Sequence, residues 1–79
     1  MGHTISARTP GVFYRRSSPD ADPYVADDGT VAEGDTIGLI EVMKTFREVK
    51  ADAAGTVSRW LVENEDEVTI GQELVELDT

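Results

Sequence analysis

The chain has no cysteine, a single histidine and no long apolar run, and each shortage removes a class of function. Without cysteine there can be no disulfide and no thiolate metal site. His3 stands alone in a polar N-terminal stretch, so it makes neither a histidine metal centre nor a nucleophilic triad. No segment approaches membrane-spanning length and none has the form of a secretory leader, which leads to the expectation of a cytoplasmic protein with no membrane partner. Basic residues are also scarce: seven Lys and Arg face sixteen Asp and Glu, and the net charge of −9 opposes nucleic-acid phosphates. With 79 residues there is room for one small domain and a modest core, not for a deep catalytic cavity.

What the sequence does contain is a repeat. Val31-Ala32-Glu33-Gly34-Asp35-Thr36-Ile37 lies over Val68-Thr69-Ile70-Gly71-Gln72-Glu73-Leu74, and upstream Gly11 to Arg16 lies over Gly55 to Trp60. Tyr24 to Val31 then aligns with Leu61 to Val68. Short β-branched and aromatic runs recur at residues 12–14, 36–42, 56–62 and 73–77, punctuated by Gly29, Gly34, Gly55 and Gly71 where turns are needed. Residues 41–50 read as two strands joined at Met43-Lys44, and no stretch sustains a helical period. Each half supplies about four strands and would leave one sheet face bare. Two copies paired about a pseudo-twofold axis bury both faces, which predicts an all-β, flattened sandwich of two four-stranded antiparallel sheets. Residues 1–10, polar and ending in Pro10, read as a flexible arm, and residues 11–79 as the domain. Aligning the halves forces one insertion, residues 17–23, whose two prolines and two serines make it a protruding loop. The acidic clusters at 27–28 and 63–67 fall at expected turns and read as solvated.

Lys44 is the residue that this architecture singles out. Only Lys44 and Lys50 occur in the chain, and the repeat puts Lys44 at one extremity with the termini at the other. Met43 and Phe46 flank it where polar residues would normally be chosen, which suggests a surface recognised by another protein. An exposed ε-amine is a nucleophile toward an activated acyl group if a second enzyme supplies base and orientation. No Gly-rich phosphate loop, catalytic triad or distinguished carboxylate pair accompanies it, so the chain reads as a substrate of enzymes rather than an enzyme.

Glu41-Val42-Met43-Lys44, with Gly34-Asp35-Thr36-Ile37, Ala51-Asp52-Ala53-Ala54-Gly55-Thr56-Val57 and the 68–74 segment, resembles the biotin carboxyl carrier domain, whose attachment motif is usually Glu-Ala-Met-Lys-Met. The similarity runs from Pro10 to Asp78. Lipoyl domains share the architecture (the barrel-sandwich hybrid) but typically carry Asp-Lys-Ala, and Met43 before Lys44 favours biotin. The resemblance implies biotin joined covalently to Lys44 by a biotin ligase, with Met43 and Thr45 flanking the site. It implies a non-catalytic carrier that shuttles a carboxyl group between biotin carboxylase and carboxyltransferase. Phe13-Tyr14-Arg15 followed by Ser18-Pro19-Asp20 is similar to the run leading into the thumb of bacterial acetyl-CoA carboxylase carriers, a loop that leans over biotin. Two positions depart from the family: Thr45 replaces the second methionine, and Arg16 stands where a small hydroxyl residue often opens the thumb. The contact to biotin then passes to Ser17 or Ser18, or is lost. A lipoyl-type carrier and an unmodified binding scaffold are the alternative readings.

Overall fold

In the computed structural model, residues 2–79 are described; Met1, the first residue of the expected arm, lies outside them. The short apolar runs become strands because glycine turns interrupt them before a helix could form. In chain order they are β1 (Gly2–Ser6), β2 (Gly11–Tyr14), β3 (Thr30–Val31), β4 (Thr36–Val42), β5 (Thr45–Lys50), β6 (Gly55–Trp60), β7 (Glu67–Val68) and β8 (Glu73–Asp78). They form two four-stranded antiparallel sheets, ordered β1-β8-β6-β3 and β5-β4-β2-β7.

The duplication is visible in that order. Exchanging β5 with β1, β4 with β8, β2 with β6 and β7 with β3 turns one sheet into the other. The turns obey it to the hydrogen bond. Gly34 N–H donates to the Ala51 carbonyl and Gly71 N–H to the Ala7 carbonyl, both at 2.8 Å. Ala51 and Ala7 return bonds to the Asp35 and Gln72 carbonyls, again at 2.8 Å. The side chains of Asp35 and Gln72 accept from the N–H groups of Ala32 and Thr69 at 2.9 and 3.1 Å, which is why the repeat tolerates either residue type there. Gly34 and Gly71 take φ of 93° and 85°, conformations that a Cβ would strain.

The core is duplicated too. Ile5, Val25, Val31, Ile37, Ala51, Val57, Val75 and Leu77 form one buried cluster, and Ala7, Phe13, Ile40, Val62, Val68 and Leu74 the other, with Val49 and Trp60 against both. One exchange breaks the symmetry. Where one half sets Val57 beside the Val75 position, the other has Phe13 and Gly38, and a Cβ on Gly38 would meet Phe13 Cε1 at 2.6 Å. The larger ring fills the space that glycine leaves.

The N-terminal residues correct the sequence expectation. Residues 2–6 are not a loose arm but edge strand β1, paired with β8 from Gly2↔Asp78 to Ser6↔Glu73. Ile5 and Ala7 are buried, and His3 Nε2 lies 2.7 Å from Asp52 Oδ1, with Arg8 also 3.9 Å from Asp52. The strand is needed because β8 would otherwise expose the edge that β5 covers on β4 in the other sheet.

Candidate functional site

The β4–β5 ladder closes at Val42↔Thr45, leaving Met43 and Lys44 as a two-residue loop. Both have positive φ, 50° and 66°, as a type I′ hairpin turn demands. Such turns normally use Asn-Gly, because an L side chain in this region costs about 1–2 kcal/mol per residue. Met43 is 93% exposed and so recovers nothing by packing. Lys44 is exposed and makes no ion pair among the described residues. Backbone strain carried by two solvent-facing side chains points to a use other than folding.

A groove of about 340 Å³ lies beside the hairpin, lined by Tyr14, Arg16, Ser17, Ser18, Pro19 and Phe46 and bounded by Asn64 and Glu65. Tyr14 and Phe46 form its apolar floor, their ring centroids 6.2 Å apart. The Tyr14 hydroxyl donates to Glu41 Oε1 at 3.0 Å. That hydrogen bond, then burial, then the negative charges of Glu41 and Glu65 hold the phenol above its usual 10.0. At the roof, Arg16 Nε is buried without a partner among the described residues, and the Ser17 and Ser18 side chains stand exposed next to it.

The insertion is anchored at its base. Arg16 and Pro23 form an isolated bridge, and Tyr24 N–H donates to the Arg15 carbonyl at 2.9 Å. Arg15 itself reaches the Val25 carbonyl at 3.1 Å and Asp27 at 2.9 Å, with its guanidinium 4.3 Å from the Trp60 ring centroid. Asn64 Oδ1 accepts from Arg15 N–H at 2.8 Å, tying the second half to the loop.

Of the residues singled out from the sequence, Met43, Lys44 and Thr45 sit together on the hairpin, and Ser17 and Ser18 line the neighbouring groove. Phe46 joins the two places. Sequence reasoning passed over Tyr14, Glu41, Asn64 and Glu65 as groove or support residues; only the contacts bring them together. No group of three or more His, Asp or Glu side chains among the described residues could hold a metal.

A family model described as "Biotin-requiring enzyme" matches residues 3–77. The chain belongs to the biotin and lipoyl attachment family. It is 41% identical over 76 residues to the biotin carboxyl carrier protein of acetyl-CoA carboxylase from Streptococcus pyogenes, covering 96% of this chain and 46% of that protein. It is 39% identical over 67 residues to the protein of the same name from Cyanidium caldarium, covering 85% of this chain and 44% of that one. The chain thus spans less than half the length of these curated relatives. Among solved structures, urea carboxylase from Kluyveromyces lactis superposes with a TM-score of 0.74 at 27% identity, over 99% of this chain and 6% of that one. Within this family the all-β sandwich is an attachment unit, a carrier domain and not a catalytic one.

Proposed function

We propose that this chain is the biotin carboxyl carrier unit of an acyl-CoA carboxylase, modified at Lys44 and acting in the cytoplasm. The observation that carries the reading is Lys44 itself: an exposed amine held on a strained two-residue hairpin inside Glu41-Val42-Met43-Lys44. Met43 before the lysine favours biotin over lipoate. The residues present also suit the group. A bicyclic ureido ring has apolar edges and a polar end, and the groove beside the hairpin offers the Tyr14–Phe46 floor with the unpartnered Arg16 Nε and the Ser17 and Ser18 hydroxyls above. Its volume of about 340 Å³ is at the small end of ligand-holding clefts.

Biotin, when attached, supplies a ureido nitrogen that takes up and releases a carboxyl group. The chain's own part is mechanical. Lys44 anchors the group, the hairpin projects it from a rigid sandwich, and the 17–23 loop shelters its ring end between transfers. Tethering of this kind keeps a reactive group at high effective concentration near each partner site. The partners are a biotin ligase that recognises Met43, Lys44 and Thr45, then a biotin carboxylase and a carboxyltransferase. The names of the curated relatives and the insertion both favour acetyl-CoA as acceptor.

Co-expression with a biotin ligase and intact-mass measurement test the reading. One biotin per chain is expected, none on Lys44→Arg. A biotin on that variant would overturn the site, and a mass gain only with lipoate ligase would move the domain to the lipoyl class. Finding no modification in the natural host would leave a scaffold role.

A further inference from the structure

Three of the seven cationic side chains of this acidic chain meet in one place. Arg15 and Arg59 are paired with Asp27 and Glu76. Arg8, Arg47 and Lys50 line a single groove of about 600 Å³ between β5 and residues 6–9. Lys50 has a loose contact with Glu48 at 3.7 Å, and Arg8 reaches Asp52 only at 3.9 Å with its side chain 85% exposed. Arg47 has no ion-pair partner among the described residues.

The pseudo-twofold axis supplies an internal control. The exchange of β5 with β1 matches Arg47 with His3 and Arg8 with Asp52. On the β1 side those two positions close on each other, His3 Nε2 to Asp52 Oδ1 at 2.7 Å. On the β5 side the same two positions hold two cations, which repel. One half seals this site with opposite charges and the other leaves it open and positive.

The groove also follows a free sheet edge. Phe46, Arg47, Glu48, Val49 and Lys50 line it consecutively, so both faces of β5 contribute. Within the described residues β5 pairs only with β4, and the backbone groups along its other side are unclaimed. Arg47 and Lys50 are three residues apart and lie on opposite faces of the strand. A compact anion cannot span both faces, whereas an extended segment with carboxylates three positions apart, and so on both of its own faces, can. We propose that this groove docks an extended acidic segment of a partner protein, laid as a strand along β5 between Arg8, Arg47 and Lys50. Phe46 lines both this groove and the one beside Lys44, so a docked partner is held next to the amine. The inference does not depend on what Lys44 carries.

The test uses the unmodified, isotope-labelled domain and amide NMR. It is titrated separately with a peptide that repeats Glu-Val-Val, its Lys-Val-Val counterpart, and tripolyphosphate. The glutamate peptide is expected to shift the amides of residues 46–50 and 6–9. Affinity should fall about tenfold in Arg8→Glu/Arg47→Glu, and also as salt rises from about 50 to 300 mM. Arg59→Glu, on the other sheet, should bind like the parent. Arg8→Gln/Arg47→Gln, which adds no charge beside Asp52, gives the same readout if the reversed pair disturbs the loop. Equal binding of the lysine peptide, shifts elsewhere or none at all, or parental affinity in both double variants would overturn the proposal. Tripolyphosphate reproducing the glutamate peptide's shifts would overturn it in favour of a point-anion site.

Discussion

Replacing Met43-Lys44 by Asn-Gly should make the domain more stable while removing its only hairpin amine. Both residues hold positive φ, 50° and 66°, and each L side chain there costs about 1–2 kcal/mol. Asn tolerates that region and Gly meets no steric penalty in it. Met43 is 93% exposed, so its removal sacrifices almost no buried area. Against the gain stands the extra backbone freedom of an unfolded glycine, about 0.5–1 kcal/mol. The net expectation is about 1–2 kcal/mol of added stability. For a domain this size that raises Tm by about 4–8 °C per kcal/mol, on the order of 10 °C in total. Thermal melts by circular dichroism measure it, with urea melts at constant slope as the check that only stability changed. Met43→Asn alone should keep roughly half the gain and retain Lys44, so its modification rate reports what Met43 contributes to recognition. A Tm equal to or below the parent's in Asn-Gly would refute the reasoning, since the strain would then have no energetic reality.

Four further outcomes follow from the contacts. Gly38→Ala should destabilise by about 1–3 kcal/mol in urea melts, because its Cβ meets Phe13 Cε1 at 2.6 Å and the Tyr14 carbonyl at 2.7 Å. Phe13→Leu in the same chain should recover only the ring's share, since the carbonyl is backbone; strict additivity of the two losses would contradict this. In a Tyr24→Phe background, Tyr14 should ionise above 10.0, and Glu41→Gln should bring it down, read by phenolate absorbance. The folded state holds that proton more tightly, so the contribution is present below 10.0 and lost as pH rises through the folded value. Asp52 is held below its usual 3.8 chiefly by the His3 hydrogen bond, so its contribution is present above that value and lost as pH falls through the folded one. The exposed pair contributes no more than about 1 kcal/mol, and Asp52→Asn should loosen hydrogen-exchange protection in β1 without unfolding the core. Deleting residues 17–23 should leave the sandwich folded, because Tyr24 N–H already donates to the Arg15 carbonyl at 2.9 Å and Trp60-Leu61 make the equivalent join directly. Loss of amide dispersion on deletion would make the loop structural.

The sandwich was legible because its signals are local and doubled. Glycine at 34 and 71, with an acceptor side chain one residue on, marks the same turn twice, and the apolar runs between them alternate as strands do. Met43-Lys44 was readable as a turn without Asn or Gly only because strand-like residues flank it on both sides. β1 was missed for a physical reason: it is an edge strand in which Ile5 alone is fully buried, so its sequence reads as polar tail. The repeat nevertheless required it, as β5 has no counterpart otherwise. β3 and β7 are two residues each, too short for any periodicity. The grooves lay beyond reach because they join residues distant in sequence, and a net charge of −9 conceals a local cluster of three cations.

The two ends of the pseudo-twofold body show what the duplication achieves. At one end Gly2 pairs with Asp78, so β1 and β8 lie side by side there without a direct link. At the other, the equivalent strands are joined through Met43-Lys44, the shortest link that an antiparallel pair allows. A longer loop would relieve the strain at both residues, and at a modest entropic cost, since closure depends only weakly on length. It would also let the amine wander, diluting whatever it carries over a larger volume. The tight turn confines the freedom to the lysine side chain and anything joined to it, while its backbone stays fixed to a rigid ladder. Strain at these two positions is therefore the physical counterpart of precise presentation, and a hairpin lengthened by glycine should be more relaxed yet a poorer donor to any partner docked beside β5.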